Sequence, residues 1–253
     1  MNFKKIKEVL KKESKLIKIK KGKKIIFAGD THGDLEASEK VLKDYLKPGN
    51  IIVFLGDYVD RGPLSKENLD FLLEAKLKNP KQIYLLQGNH EGYHILRFSP
   101  AEFWEGLSKE EYKIYTSIVE NFPLVFVVKN IIALHGVPPD VESLKEINDI
   151  KLGSEHWQEI TWGDFFDRKG EYLGIDRFSG RPQFGKEYFF KIMKRFDKDI
   201  LIRSHQSDTR QFLFDDKCLT IFTSFAYTRK RTIAIADLSK EIKSARDLEI
   251  KIL

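Results

Sequence analysis

Short apolar runs alternate along the first ninety positions with segments whose apolar residues recur at helical spacing. IIFAG (25–29), NIIVFLG (50–56) and QIYLLQG (82–88) read as buried strands, while EASEKVLKDYL and SKENLDFLLEAKLK between them read as amphipathic helices. Strand, helix, strand, helix, strand is the pattern of parallel βαβ units. Helical material is predicted around 100–121, followed by LVFVV and NIIALHG, a hairpin-like pair separated by Lys129-Asn130. GKEYFFKIMKRF then predicts a helix, and DILIRS, QFLFD, CLTIFTSF and RTIAIADL predict strands. No repeat, low-complexity stretch or Pro/Gly-rich linker divides the chain. The pattern therefore predicts one α/β domain over 25–253, preceded by a basic N-terminal helix or extension over 1–24.

Composition narrows this only a little. With 253 residues, 42% hydrophobic and 12% aromatic, the chain can bury a sizeable core, which excludes wholesale disorder. The formal charge is +6, but the first 24 residues hold eleven lysines against Glu8 and Glu13, leaving the remainder slightly acidic. A positive excess confined to one terminus does not suit a nucleic-acid-binding cleft, so no nucleic-acid partner is expected. Phe3, Ile6, Val9 and Leu10 recur at helical spacing, so the lysines are expected to line the wet face of a packed helix. Cys218, the only cysteine, lies in an apolar run and reads as a core residue. No stretch of 18 apolar residues occurs, and the Lys-rich start lacks the apolar segment of a signal peptide; a soluble cytoplasmic protein without a membrane partner is expected.

The chemistry lies where the strands stop. GDTHGD (29–34), GDYVDRG (56–62) and GNHE (88–91) each follow a glycine with side chains able to bind a metal or carry a proton, and two later strands end in His135-Gly136 and in His205. In parallel α/β sheets the carboxyl ends of strands share one edge, so groups distant in sequence meet in one crevice. A Gly-Asp alone is usually a turn, a lone histidine structural and a lone Arg61 a surface ion-pair residue; turns do not explain why five strand ends share one chemistry. Carboxylate, imidazole and amide oxygen without thiolate suit Mn, Fe or Zn. On this reading Asp30 and His32 share one ion, Asn89, His135 and His205 share another, and Asp57 bridges both. Such a pair, ~3.5–4 Å apart, activates a bridging water for in-line attack at phosphorus. Arg61 grips the phosphoryl oxygens, and His90, oriented by Asp60, protonates the leaving oxygen.

GDTHG, GDYVDRG, GNHE, HG and RSHQ, in this order, resemble the calcineurin-like metallophosphoesterases, and within them the phosphoprotein phosphatase (PPP) family of serine/threonine phosphatases. The resemblance covers about residues 25–237, since FGKEYFFKIMKRFDKDILIRSHQ also looks like that family's helix and strand before its last ligand. It implies a β-sandwich flanked by helices with a dinuclear centre. It assigns Asp30, His32, Asp57, Asn89, His135 and His205 as ligands, Asp60 and His90 as the acid pair and Arg61 as a phosphate contact. There are departures. His135 precedes Gly136-Val137 where the family has two glycines. The family's second phosphate-binding arginine corresponds to Arg177 or Arg181 in GIDRFSGRPQFG; spacing favours Arg177, and Gly180 keeps Arg181 open. The family's loop with an aromatic near the site is shortened to SFAYTRKRT, with Tyr227 as the counterpart.

His94 and His156 belong to no motif. Trp104, Trp157 and Trp162 read as core aromatics, although Trp162-Gly163-Asp164 falls where the resemblance places a loop near the site. The expected function is a phosphomonoesterase dependent on two divalent ions, manganese first, acting on phosphoserine and phosphothreonine in proteins without a covalent phosphoenzyme. A dinucleoside-polyphosphate hydrolase or other small-molecule phosphoesterase is the alternative within the same chemistry. The intact acid and ligand set argues against a non-catalytic scaffold. No long tail resembles an autoinhibitory extension, so any regulation is expected from a separate subunit.

Overall fold

Strands that are apolar at every position need cover on both faces, and the fold supplies it with two stacked sheets between two helix layers. The computed structural model describes residues 1–20 and 22–253. The chain begins with α1 (Phe3–Leu10), β1 (Leu16–Ile19), β2 (Lys24–Ala28), α2 (Leu35–Tyr45), β3 (Ile51–Phe54), α3 (Ser65–Lys78) and β4 (Ile83–Leu85). It continues through α4 (Glu102–Glu105), α5 (Lys109–Val119), β5 (Val125–Val128), β6 (Ile131–Ala133), α6 (Glu155–Trp162), β7 (Asp164–Phe165), β8 (Tyr172–Ile175) and β9 (Pro182–Phe184). It ends with α7 (Lys186–Arg195), β10 (Ile200–Arg203), β11 (Phe212–Leu213), β12 (Cys218–Thr220), β13 (Thr232–Asp237) and β14 (Glu249–Ile252).

One sheet has the order β14-β13-β2-β3-β4 and the other β1-β5-β6-β10-β12-β11. Within the first, β2, β3 and β4 run parallel; within the second, β6, β10 and β12 do. Side chains on a strand alternate between faces, and the core follows that alternation. Ile25 and Phe27 join Phe126, Ile131, Ile200 and Ile202 between the sheets, while Ile26 and Ala28 join the layer of α2, α3 and α5. The outer face of the second sheet, including Val125, Ile132 and Leu201, packs under α6 and α7. A small third sheet, β7-β9-β8, stands beside this sandwich. The parallel pairings bring the ends of β2, β3 and β4, and of β6 and β10, to one rim, and every candidate metal-binding motif lies just beyond one of those ends.

The Lys-rich segment is built into this sandwich. Ile6 and Leu10 are buried, Phe3 meets the Tyr115 ring edge-on at 5.7 Å, and β1 pairs in parallel with β5 from Leu16↔Val125 to Ile19↔Val128. Between α1 and β1, Glu13 pairs with the fully buried ammonium of Lys76, which also donates to the carbonyls of Pro80 (2.9 Å) and Ile83 (2.7 Å). Burial pushes Lys76 below its ordinary range and Glu13 above its own, each opposed by the partner's charge.

Stranding one partner of a buried pair costs about 3 kcal/mol at the low end, the appropriate end here because two carbonyls still hold the ammonium. Glu13→Gln is therefore expected to lower Tm by about 6–12 °C. A lysine whose folded pKa lies below its unfolded value makes stability rise with pH across the window between the two. The variant's deficit should accordingly narrow as pH is raised towards about 10. A deficit independent of pH in thermal melts would contradict the pairing. Among the described residues, no helix is long and apolar enough to cross a membrane.

Candidate active site and metal centre

The rim loops leave their strands through uncommon backbone conformations. His32 (φ +40°), Asp57 (+53°), Asp60 (+66°), Arg61 (+69°) and His205 (+70°) all lie in the left-handed region, which L-residues with side chains rarely occupy. Such strain persists only where surrounding contacts over-determine it, and it gathers at functional sites. At the β3 end those contacts come from Glu91, whose carboxylate accepts the backbone amides of Asp57 (2.8 Å), Tyr58 (2.9 Å) and Gly88 (2.9 Å). Gly88 permits this approach, since a Cβ there would lie 2.2 Å from Asp57 Oδ1.

Two groups of donors meet at Asp57. On one side, His32 Nε2 lies 3.6 Å from Asp30 Oδ2 and 3.7 Å from Asp57 Oδ2. On the other, His135 Nε2 lies 3.1 Å from Asn89 Oδ1, 3.2 Å from His205 Nδ1 and 3.3 Å from Asp57 Oδ2. All six residues are buried. The orientation of the rings is set from behind: His32 Nδ1 faces the Val59 carbonyl at 2.9 Å and His135 Nδ1 the Leu55 carbonyl at 3.0 Å. With those nitrogens donating, each Nε2 presents a lone pair to its cluster, the arrangement common to metal-binding histidines. With both rings neutral, two imidazole nitrogens, an amide oxygen and a carboxylate oxygen converge with too few protons to satisfy one another, and a divalent cation fits that donor set. Without one, burial lowers the affinity of His32 for a proton, but Asp30 and Asp57 outweigh it and push the ring up to about 9. Burial also acts on His135 and is again outweighed by the two aspartates, whereas burial together with Arg181 and His135 holds His205 well below the usual histidine range.

His90 is buried beside the shared carboxylate. Its Nδ1 meets Asp60 Oδ2 at 2.6 Å, and its Nε2 lies 3.8 Å from Asp57 Oδ2. Asp60 is itself fixed, accepting the Phe103 amide at Oδ1 (2.7 Å) while its own amide donates to Ser65 Oγ (2.9 Å). The ring of His90 packs edge-on against Phe98 and His32, and burial holds it below the ordinary histidine pKa against the pull of Asp57 and Asp60. By proximity alone His90 would join His32 and Asp57 as a third donor. The short bond to Asp60 distinguishes it from the ring nitrogens backed by carbonyls.

Around the rim, Arg61 donates through Nε to Tyr227 Oη (2.6 Å) and through Nη1 to Pro100 O (2.6 Å) and Glu102 (3.2 Å), which fix the plane of its guanidinium. Tyr227 also packs edge-on against His32 at 5.3 Å. Arg181, immediately before β9, places Nη1 3.6 Å from Asp164 Oδ2, and Asp164 Oδ1 lies 3.6 Å from His205 Nε2. The cluster thus gathers Arg61, Arg181 and Tyr227 but not Arg177, which is exposed in the turn between β8 and β9. Asp176 tightens that turn by accepting the amides of Phe178 and Ser179.

Val137 fills the position expected to be a second glycine, and room for it comes from Gly163, where a Cβ would lie 2.7 Å from Val137 Cβ. Three participants carry no role in the sequence reading: Glu91, Asp164 and the fully buried Arg203, which donates to Gly163 O and Gln206. Each stands within or beside a motif already singled out (GNHE, WGD, RSHQ), and that adjacency was the available signal.

The model of the calcineurin-like phosphoesterase family matches residues 23–207. A probable serine/threonine-protein phosphatase of Encephalitozoon cuniculi (strain GB-M1) is 29% identical over 222 residues, which is 81% of this chain; the chain spans 48% of that relative's length. Among solved structures, a protein serine/threonine phosphatase from Saccharomyces cerevisiae with similarity to human phosphatase PP5 superposes with a TM-score of 0.81 at 20% identity, covering 99% of this chain and 87% of its own. The cold-active protein-tyrosine phosphatase of a psychrophile, Shewanella sp., superposes with a TM-score of 0.60 at 17% identity, covering 96% and 84%. These two likenesses extend to the sandwich and its flanking helices, and the family match runs from β2 past the last rim histidine. The chain belongs to the calcineurin-like phosphoesterase family.

Proposed function

We propose that this chain is a serine/threonine protein phosphatase that needs two divalent ions, manganese foremost, held by Asp30, His32, Asp57, Asn89, His135 and His205. The observation that carries the proposal is the Asp60–His90 pair set beside a carboxylate shared by two donor clusters. Ions bound there would neutralise phosphoryl oxygens and lower the pKa of a coordinated water. Arg61, its plane preset by Tyr227 and Glu102, holds the phosphoryl group, with Arg181 as the second contact because it stands beside His205 through Asp164. His90 delivers a proton from Nε2 to the departing side-chain oxygen while Asp60 stabilises the ring that carries it. The choice of phosphoserine and phosphothreonine proteins as substrates draws on the names of the E. cuniculi and S. cerevisiae relatives.

A substrate panel tests this reading. Phosphothreonine and phosphoserine peptides should be hydrolysed with higher kcat/KM than phosphotyrosine peptides or diadenosine tetraphosphate. Chelation should abolish turnover, and Mn should restore it better than Ca, which prefers an all-oxygen shell. In the same assay Arg181→Ala should raise KM about tenfold or more, as expected for losing a charge-assisted contact of roughly 1.5–3 kcal/mol, and Arg177→Ala should not. Preference for the dinucleotide would transfer the assignment to a small-molecule phosphoesterase. Undiminished activity in metal-free protein would end it.

A further inference from the structure

Beside His32 and Arg61 the rim opens into a groove of about 480 Å³, whose lining includes Pro63, Leu64 and Phe225. Phe225 is 55% exposed and Leu64 is 41% exposed, so two large apolar side chains line one open groove next to the chemistry. The charged side chains lining the groove are paired within the protein, and Arg61 is further committed to the phosphoryl group. Arg231 pairs with Asp34 (2.7 Å) and Glu36 (2.8 Å), and Arg61 with Glu102 (3.2 Å). Asp34 also accepts the Phe225 amide at 3.2 Å, and the Arg231 guanidinium lies 4.1 Å from the centre of the Phe225 ring. One face of that ring is thereby fixed.

Leu64 carries a second, independent sign. It occupies the N-cap position of α3 with no side-chain cap hydrogen bond, where serine, threonine, aspartate or asparagine is favoured by roughly 0.5–2 kcal/mol. A leucine there, 41% exposed, breaks a local rule, and such positions tend to be functional.

We infer that this groove binds an uncharged apolar side chain, such as leucine, in a substrate polypeptide one or two residues from the phosphorylated one. The inference rests on the protein-phosphatase reading and makes it more specific. Continuity fixes the occupant: a phosphoryl group held at Arg61 leaves the flanking residues, spaced at most ~3.6 Å apart along the peptide, within reach of a groove that shares Arg61 and His32. With Arg61 taken by the phosphoryl group and Arg231 paired with Asp34 and Glu36, the groove offers a charged side chain no unpaired cation, while Leu64 and Phe225 offer an apolar one exposed surface to cover.

The test compares phosphothreonine peptides that are identical except for leucine, aspartate or lysine at the two positions on either side, together with a small aryl phosphate, using the metal-loaded full chain. Leucine at one of these positions should raise kcat/KM about 10-fold or more over aspartate or lysine, the size of effect that burying an aliphatic group produces. Leu64→Ser and Phe225→Ser should each collapse that ratio. The preference is read within each variant, so a general loss of activity cancels. Serine is the better N-cap, so Leu64→Ser should melt no lower than the parent, which removes misfolding as an explanation. Equal hydrolysis of all peptides, or a ratio unchanged in both variants, overturns the groove assignment and leaves the phosphatase reading intact. Hydrolysis of the aryl phosphate but of no peptide overturns both.

Discussion

Asp57→Asn is expected to remove bound divalent metal and phosphoesterase activity together, with turnover falling ~10³-fold or more. Asp57 Oδ2 lies 3.7 Å from His32 Nε2 and 3.3 Å from His135 Nε2, and Asp57 is the residue common to both three-residue donor groups among the described residues. Asparagine preserves the shape but removes the charge and one anionic oxygen. Neither group then has a carboxylate that serves the other. The figure follows from the several kcal/mol that a divalent cation contributes to stabilising charge at phosphorus, at about 1.4 kcal/mol per tenfold. The fold should tolerate the change, because Glu91 holds the backbone amides of Asp57 and Tyr58, and an asparagine Oδ1 can still accept the His90 amide that Asp57 Oδ1 accepts at 3.0 Å. Elemental analysis beside an aryl phosphate assay and a melt decides the matter. Full metal content with lost activity would make Asp57 something other than a shared ligand.

How much of this was legible in the sequence depends on how each element is buried. Strands β2, β3 and β4 are apolar at consecutive positions because both faces are covered, so IIFA, IIVF and IYL stood out, and the glycines after them marked the rim. The helix predicted over SKENLDFLLEAKLK matches α3 from Ser65 to Lys78. The strands β1 (LIKI) and β14 (EIKI) were passed over. They lie at sheet edges, where lysine and glutamate meet solvent and dilute the apolar signal. The small sheet of β7, β8 and β9 was also missed, since strands of two to four residues carry almost no periodicity.

That omission explains the arginines. Counting residues back from Phe184-Gly185 favoured Arg177, but the turn capped by Asp176 sends Arg177 outward and starts β9 after Arg181. Spacing predicts position only when the hairpin length is known. The support given by Glu91 was illegible for another reason: a carboxylate that accepts three backbone amides has no sequence pattern, because those amides come from two different loops.

The largest effect on chemistry without loss of metal is expected at His90. His90→Asn should lower turnover ~10²–10⁴-fold on a phosphothreonine peptide, whose alkoxide leaving group needs a proton, and much less on an activated aryl phosphate, whose phenolate leaves without one. Metal content should stay at the parent level. The argument is geometric: Nδ1 is committed to Asp60 at 2.6 Å, so Nε2 is the nitrogen free to serve the substrate, and it lies at the edge of the shared carboxylate. If proximity to His32 and Asp57 instead made His90 a ligand, the variant would lose metal and both substrates would suffer alike. Asp60→Asn separates the two cases further. It leaves every one of the six donors in place, yet replaces the charge behind His90 with a neutral amide, so the ring no longer gains from carrying a proton. Its expected signature is the same leaving-group dependence as His90→Asn, smaller in size and with metal retained. Equal losses on the peptide and the aryl phosphate in both variants would contradict proton delivery by His90, and with it the role of Asp60.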